Sequence, residues 1–479
     1  MNRNRTKPFL AQVVEHYFAS AGATLFVFPN RRSQIFFKKY FGEKMLAENV
    51  GAGMPQLATV SDLFRSLYAP QGSLADELTL LVELYEVYRQ VRVSAGHTAE
   101  PLDDFLFWGG VILSDFGDID KYLADPGQIL KNIADYKDID VDPKSFTTDA
   151  QYDAICSLVG SLRGNDGTVS KEYHKTFIAI WDLLLPIYTE YNKSLKEKGL
   201  AYEGMVFRYV AEHPAECKAT LQRLYPNAAK VVFVGLNALS KAELTFLHSL
   251  AKEDGFAEFC WDFPTGGQDS PLLGDPQNKA SHFIRRYLAP GVNSLPQAFK
   301  VEYGPLPEIS VISTSTTVAG SKLIPDFLQA VEGPVDERTL VLLPDETQLQ
   351  SVLTSIPDAR ADVLNITMGS PLSLSGSYSL VTAILRLFEG RRQGYFYHRV
   401  IWDIFSSTIF RHAHEGDSDR ICAVKDKAQT YIPSGDLDFS PVFRDLPDRD
   451  SLDEVIDYLL ATLSFLASGM AYDPLEREA

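Results

Sequence analysis

The sequence predicts an α/β protein built around parallel sheets, and three observations carry that prediction. Short β-branched and aromatic runs alternate with long amphipathic segments, the pattern of sheet domains whose strands are joined by crossover helices. The runs are apolar along most of their length, as strands covered on both faces must be. A Pro/Gly-rich stretch, Pro290 to Glu308, separates two groups of such runs and reads as a linker.

Taken in order, the runs are Thr24–Phe28 (TLFVF), Lys230–Val234 (KVVFV), Phe256–Trp261 (FAEFCW), Ile309–Ser313 (ISVIS) and Thr339–Leu343 (TLVLL). Between the first two lies a long stretch with helical periodicity. Leu78, Leu81, Leu84, Tyr85 and Tyr88 recur at i, i+3, i+4 spacing, and so do Phe177, Ile180, Trp181, Leu184, Ile187 and Tyr188. A helical subdomain therefore interrupts the first sheet domain. The last two runs flank the helix-like Thr317–Glu332, which makes a βαβ unit with a right-handed crossover. After Gly376 the pattern is helical to the end, apart from a Pro/Gly/Asp-rich loop over 432–450. The expected organisation is a first sheet domain from 1–75 together with 225–300, a helical insertion at 76–224, a second sheet domain at 301–390, and a further helical part at 391–479.

At 479 residues the chain is long enough for two to four domains, and 45% hydrophobic residues suffice for packed cores. The net charge of −18 repels polyphosphate on average, which counts against a protein that simply coats nucleic acid. The average hides an asymmetry: residues 1–50 hold eight Lys/Arg against three Asp/Glu, whereas residues 101–150 hold four against eleven. A basic groove in an acidic body is compatible with that distribution. Cysteines at 156, 217, 260 and 422 include no CxxC pair and are too scattered for a disulfide framework, so a reduced, cytoplasmic setting is expected. The basic N-terminus lacks the apolar stretch of a signal peptide, and no uninterrupted apolar window is long enough to cross a membrane.

A nucleotide-hydrolysing α/β domain needs GxxxxGK[ST], whose amides and Lys neutralise phosphates. The nearest fragment here, Ala319-Gly320-Ser321-Lys322, lacks the first Gly and the Ser/Thr after Lys. Pro29-Asn30-Arg31-Arg32 follows a buried strand and precedes an amphipathic helix, at the carboxyl edge of the sheet where such domains bind ligands. Asn30, Arg31, Arg32 and Ser33, with the helix's first amides, have the chemistry to grip backbone phosphates. The plainer alternative is Asn30 as a helix cap beside two solvated arginines. Asp118, Asp120, Asp135, Tyr136 and Lys137 mimic the acidic motifs of a metal-dependent nuclease, in which carboxylates hold Mg²⁺ and a Lys polarises water. Their surroundings, Leu123, Ile129, Leu130, Ile133 and Tyr136, follow a helical stripe, whereas that chemistry is carried on strands. His412 and His414 read as surface histidines, and Trp261-Asp262 as a core Trp followed by a loop, with base stacking as the alternative.

The collinear order of these segments carries a resemblance. FVFPNRRSQIFFKKYF, QLATVSDLFRSL, FLFWGGVILSDFGDIDKYL, VVFVGLNALSKAELTFLHSL, EFCWDFP, ISVISTSTTVAGSKLIPDFL, LVLLPDETQLQSVL and NITMGSPLSLSGSYSLVTAILRLF together resemble the N-terminal half of AddB-type proteins of the PD-(D/E)XK nuclease family, in their Bacteroides-like versions. The resemblance implies two RecA-like, superfamily 1 helicase-like parallel-sheet domains with helical insertions. It also implies an AddA-like helicase-nuclease partner, single-stranded or end-frayed DNA as ligand, and a nuclease half beyond residue 479 that would use Mg²⁺, making this chain a fragment without a cofactor of its own. Carried over by position, Asn30 to Ser33 fall where helicases contact DNA, and Val231–Leu236 fall on the strand that normally ends in acidic residues. Here that strand ends Val234-Gly235-Leu236, with no carboxylate pair to hold Mg²⁺. The expected function is a non-catalytic module that binds or guides single-stranded DNA. Two alternatives stay beside it: a metal-dependent nuclease using Asp120, Asp135 and Lys137, and a protein-interaction scaffold without DNA binding.

Overall fold

A computed structural model describes residues 7–49, 53–135, 171–252, 255–263, 277–291, 294–303, 308–330, 335 and 339–468, apart from 357–363, 370, 393, 445 and 448–450. The chain divides into two compact units, Met1–Glu308 and Ile309–Ala479.

The first unit is organised by a four-stranded, all-parallel sheet. Its strands are β1 (Thr24–Phe28), β2 (Gln56–Thr59), β5 (Lys230–Val234) and β6 (Ala257–Cys260), in spatial order β2-β1-β5-β6. Leu25 to Phe28 pair with Gln56 to Thr59 on one side, and Thr24 to Val27 pair with Lys230 to Phe233 on the other. All five residues of β1 are buried, as befits a central strand. Three of the runs expected from sequence are thus strands of one sheet, and β6 is shorter than its run by a residue at each end.

Alternation along these strands divides the core. Phe26, Phe28, Val232, Val234 and Cys260 face α1 (Phe9–Tyr17) and α2 (Arg31–Glu48), meeting Val13, Tyr17, Phe37 and Phe41. Leu25, Val27, Val231, Phe233 and Phe259 face the opposite way, into a larger core that runs without a break into the helical insertion. The chain leaves β1 through α2 toward β2, and leaves β5 through α10 (Lys241–Ala251) in the opposite direction, toward β6. The connections diverge between β1 and β5, which makes that gap the topological switch point of the sheet.

The insertion comprises α3 (Val60–Tyr68), α4 (Glu77–Ser94), α5 (Leu102–Lys121), α6 (Pro126–Asp135), α7 (Lys171–Glu197), α8 (Glu203–Glu212) and α9 (Pro214–Leu224). At its base, β3 (Ser73–Leu74) pairs in parallel with β4 (Leu200–Ala201). The buried stripe of α4 is Leu80, Leu84, Val87 and Tyr88, so the helix is turned from the face expected from sequence and Leu78 points to solvent. Helices α5 and α8 cross at two glycines. A Cβ on Gly204 would fall 2.7 Å from the Gly117 Cα, an approach open only to residues without side chains.

In the second unit the expected βαβ does not form among the described residues. Ile309–Ser313 and Thr339–Leu343 form no ladder, and Val311 is 89% exposed and Leu340 76% exposed. A short apolar run becomes a strand only where a neighbour takes up its amides and carbonyls, and no described residues do so for these runs. The helix expected between them is two short ones, α12 (Thr317–Ser321) and α13 (Ile324–Ala330), the next in the chain after α11 (His282–Leu288) of the first unit. The packed part of this unit lies further on. It is built from α15 (Gly376–Gly390), α16 (His398–Ser406), α17 (Thr408–Ala413), α18 (Ser418–Asp426) and α19 (Leu452–Ser468), following α14 (Leu349–Leu353), with an antiparallel ribbon of β7 (Tyr395–Tyr397) and β8 (Tyr431–Pro433). Its core gathers Leu380, Ile384, Phe396, Ile401, Phe405, Phe410 and Phe443. The architecture is therefore a mostly helical α/β protein with one four-stranded parallel sheet among the described residues.

Candidate nucleic-acid interface

β1 delivers the chain to the carboxyl edge of the sheet, where Pro29 and Asn30 form the turn into α2. Asn30 is extended (φ −154°, ψ 167°) and its Oδ1 accepts from the Ser33 backbone N–H at 3.0 Å and from the Ser33 hydroxyl at 3.1 Å. That is an N-cap: the side-chain oxygen takes up one of the amides that a helix's first turn leaves unpaired. Asn30 thus serves the backbone, as the plainer sequence reading had it. Arg31 and Arg32 are exposed on the first turn, and Ser33 is half-buried. α2 carries five Lys/Arg, at 31, 32, 38, 39 and 44, against Glu43 and Glu48. Its N-terminal end therefore combines the positive end of the helix dipole with two guanidinium groups.

The four predicted residues lie within one turn of one another, beside the switch point. Ser33 lines a cleft of about 280 Å³ together with Phe36, Tyr40, Phe9, Gly235 and Asp262. Arg31 and Arg32 are not among its lining residues and stand at its margin in sequence. Gly235 (φ +67°) turns the chain out of β5 in the left-handed region, which favours glycine, and its N–H donates to the Cys260 carbonyl at 2.8 Å. The Phe9 ring stands against it, 3.5 Å from where a Cβ would sit. Asp262, just past β6, accepts from the Tyr303 hydroxyl at 2.7 Å. Burial, and then that hydrogen bond, push the Tyr303 phenol well above its usual range.

Phe9 and Tyr303 were missed by sequence reasoning. The glycine after β5 was a legible sign of a sharp turn. The Phe9 and Tyr303 contacts join positions far apart in the chain and left no local trace. Trp261 is a core residue: it is buried, and its indole N–H donates to the Leu295 carbonyl at 2.9 Å.

The described part of the nuclease lookalike is helical. Asp120 lies on α5 and Asp135 at the end of α6, both helical, while Tyr136 and Lys137 lie outside the described residues. The Asp120 carboxylate is buried and engaged on both oxygens. Oδ1 accepts from the Tyr188 hydroxyl at 2.5 Å and from Arg208 Nε at 2.6 Å, and Oδ2 accepts from the Tyr202 hydroxyl. Arg208 also donates to the carbonyls of Ile119 and Ala124, at 3.0 and 2.7 Å. Burial followed by the Asp120 charge raises the Tyr188 and Tyr202 phenols well above 10. A carboxylate so enclosed, 1% exposed and accepting from three donors, ties three helices together. Asp118 is exposed on the same helix, and Lys121 pairs with Glu203 at 2.5 Å. Among the described residues no three His, Cys, Asp or Glu side chains are grouped to hold a metal ion.

Ala319 to Lys322 lie at the end of α12, a five-residue helix capped by Thr316, and form no phosphate-binding loop. Of the two histidines read as surface residues, His412 is exposed but His414 is 3% exposed. The correction has a plain cause: His414 stacks on Phe410, with ring centroids 4.1 Å apart, and packs edge-on to Phe439 and Phe465. Burial pushes the thiols of Cys217 and Cys260 up to about 12, away from nucleophilic use.

No protein-family model matches the chain, and comparison with curated proteins finds no match. Among the described residues, no helix is long and apolar enough to cross a membrane.

Proposed function

We propose that the chain is a non-catalytic, helicase-like module of an AddAB-type double-strand-break-processing complex, which binds or guides single-stranded DNA and scaffolds an AddA-like partner. The observation that supports this most is the exposed Arg31-Arg32 pair on the first turn of a basic helix, at the carboxyl edge and switch point of a parallel sheet. Phosphate is favoured there by the helix dipole and by two guanidinium groups together. The finer fold reading, two RecA-like domains, belongs to the same proposal. Its support in the second unit is compositional, resting on Ile309–Ser313 and Thr339–Leu343.

The test is single-strand binding measured across a salt series with the parent and an Arg31→Ala, Arg32→Ala variant. Loss of two phosphate contacts should lower the slope of log K against log salt by about 1.4, at roughly 0.7 per phosphate on a single strand. Equal affinity and equal slope would remove the arginines from any DNA contact. The competing nuclease reading draws no support from the enclosed Asp120. It predicts Mg²⁺-dependent cleavage of DNA that an Asp135→Ala variant abolishes.

A further inference from the structure

The second unit holds a groove unrelated to the residues so far assigned a role. One wall is a single face of α18, where Ser418, Ile421, Cys422 and Lys425 recur at i, i+3, i+4 and i+7. The facing wall comes from α16 and α17. Two adjoining cavities share Lys425: one of about 400 Å³ reaching Ser406, Arg411 and His414, the other of about 530 Å³ reaching Trp402, His398 and Thr430. Both fall in the size range of small-molecule sites.

Three features of the lining select a ligand. Arg411 and Lys425 are both exposed, no carboxylate lines either cavity, and neither cation is in an ion pair among the described residues. In a chain of net charge −18, two uncompensated cations at one place call for an anion. The second feature is His414. Its Nδ1 lies 2.9 Å from the Phe410 carbonyl, which only accepts, so Nδ1 carries the proton and Nε2 is left as an acceptor. Nε2 is buried and has no partner among the described residues. A buried acceptor left unsatisfied costs free energy that a ligand hydroxyl would recover. Burial lowers the pKa of this histidine and so keeps the acceptor form populated. Third, the half-buried Trp402 ring lies in the adjoining cavity with Lys425 Nζ 6.0 Å from its centroid, a flat apolar surface next to the positive charge.

We propose that this groove binds a nucleoside phosphate, with the phosphate on Arg411 and Lys425, a sugar hydroxyl donating to His414 Nε2, and the base against Trp402. The site lies in the other unit from Asn30–Ser33 and does not rest on the single-strand reading. A free mononucleotide and one nucleotide of a single strand present the same chemistry. The experiment separates them by titrating the full chain with AMP, with inorganic phosphate and with an oligothymidylate, in parent, Lys425→Gln, Arg411→Gln and Arg31→Ala/Arg32→Ala forms.

For a free nucleotide, AMP binds more tightly than inorganic phosphate, and each of Lys425→Gln and Arg411→Gln weakens it roughly tenfold, as expected on losing a charge-assisted hydrogen bond. The Arg31/Arg32 variant leaves that binding unchanged. For a strand, AMP binds weakly, and the oligothymidylate loses affinity in both groove variants independently of Arg31 and Arg32. The proposal is overturned if neither AMP nor the oligothymidylate responds to Lys425→Gln or Arg411→Gln. It is overturned equally if inorganic phosphate binds as tightly as AMP and the oligothymidylate does not respond to either groove substitution. Both substituted side chains are exposed, and unchanged thermal unfolding of the variants confirms that the loss is local.

Discussion

Thr24–Phe28 and Ile309–Ser313 are five-residue runs of β-forming side chains, and they meet opposite fates. The first is buried at every position between two parallel neighbours, while in the second Ile309, Val311 and Ile312 are 63%, 89% and 56% exposed. The later run is the less apolar, with Ser310 and Ser313 where the first has Leu25 and Phe28. The larger difference is supply: β2 and β5 satisfy the backbone groups of β1, helices cover both its faces, and no element among the described residues does this for the later run. Strand propensity measures fitness for a pleated, covered surface and creates no such surface.

Substitutions at matched positions should expose the contrast. Phe26 packs against Tyr17 and Phe37, so Phe26→Ala is expected to cost about 3–5 kcal/mol in urea unfolding. A loss under about 1 kcal/mol would mean that β1 is not the centre of its sheet. Asp120→Ala should cost a similar ~3–5 kcal/mol by leaving Arg208 without its buried partner. Adding Arg208→Met should recover part of that loss, and a double variant no better than the single would show that the ion pair is not what the site depends on. Asn30→Ala should cost about 1 kcal/mol through the lost cap. If the arginines rather than Asn30 hold DNA, the same variant should keep single-strand affinity at saturating folding. At the small end, Val311→Ser should change stability by no more than about 0.5 kcal/mol, as an exposed substitution does. A loss of about 2 kcal/mol would show that this run is covered in solution, and would favour a second sheet.

The sheet of the first unit was legible because its strands are apolar on both faces and bounded by turns; Thr24–Phe28 and Lys230–Val234 agree with the sequence reading residue for residue. The position of the Asn30 turn was legible too, since Pro-Asn before an amphipathic segment is a helix start written locally. His414 escaped because polarity alone says surface, and its burial depends on Phe410 one turn earlier and on Phe465 across the fold. The Asp120 cluster escaped for the opposite reason. Its local sequence suggested chemistry, and only the distant Tyr188, Tyr202 and Arg208 reveal a carboxylate held for structure.

The Asp120 cluster also bears on the order in which the insertion folds. Its three partners are 68, 82 and 88 residues along the chain, so the cluster cannot close until α5, α7 and α8 have all been made and brought together. Contacts of such separation form late, because the loop entropy is lost before the contact repays it. Until then Asp120 stays hydrated at the edge of an apolar layer. Its burial therefore marks completion of the insertion, and a chain in which the Gly117–Gly204 crossing is wedged apart should stall before that step, with its apolar helix faces still open to aggregation.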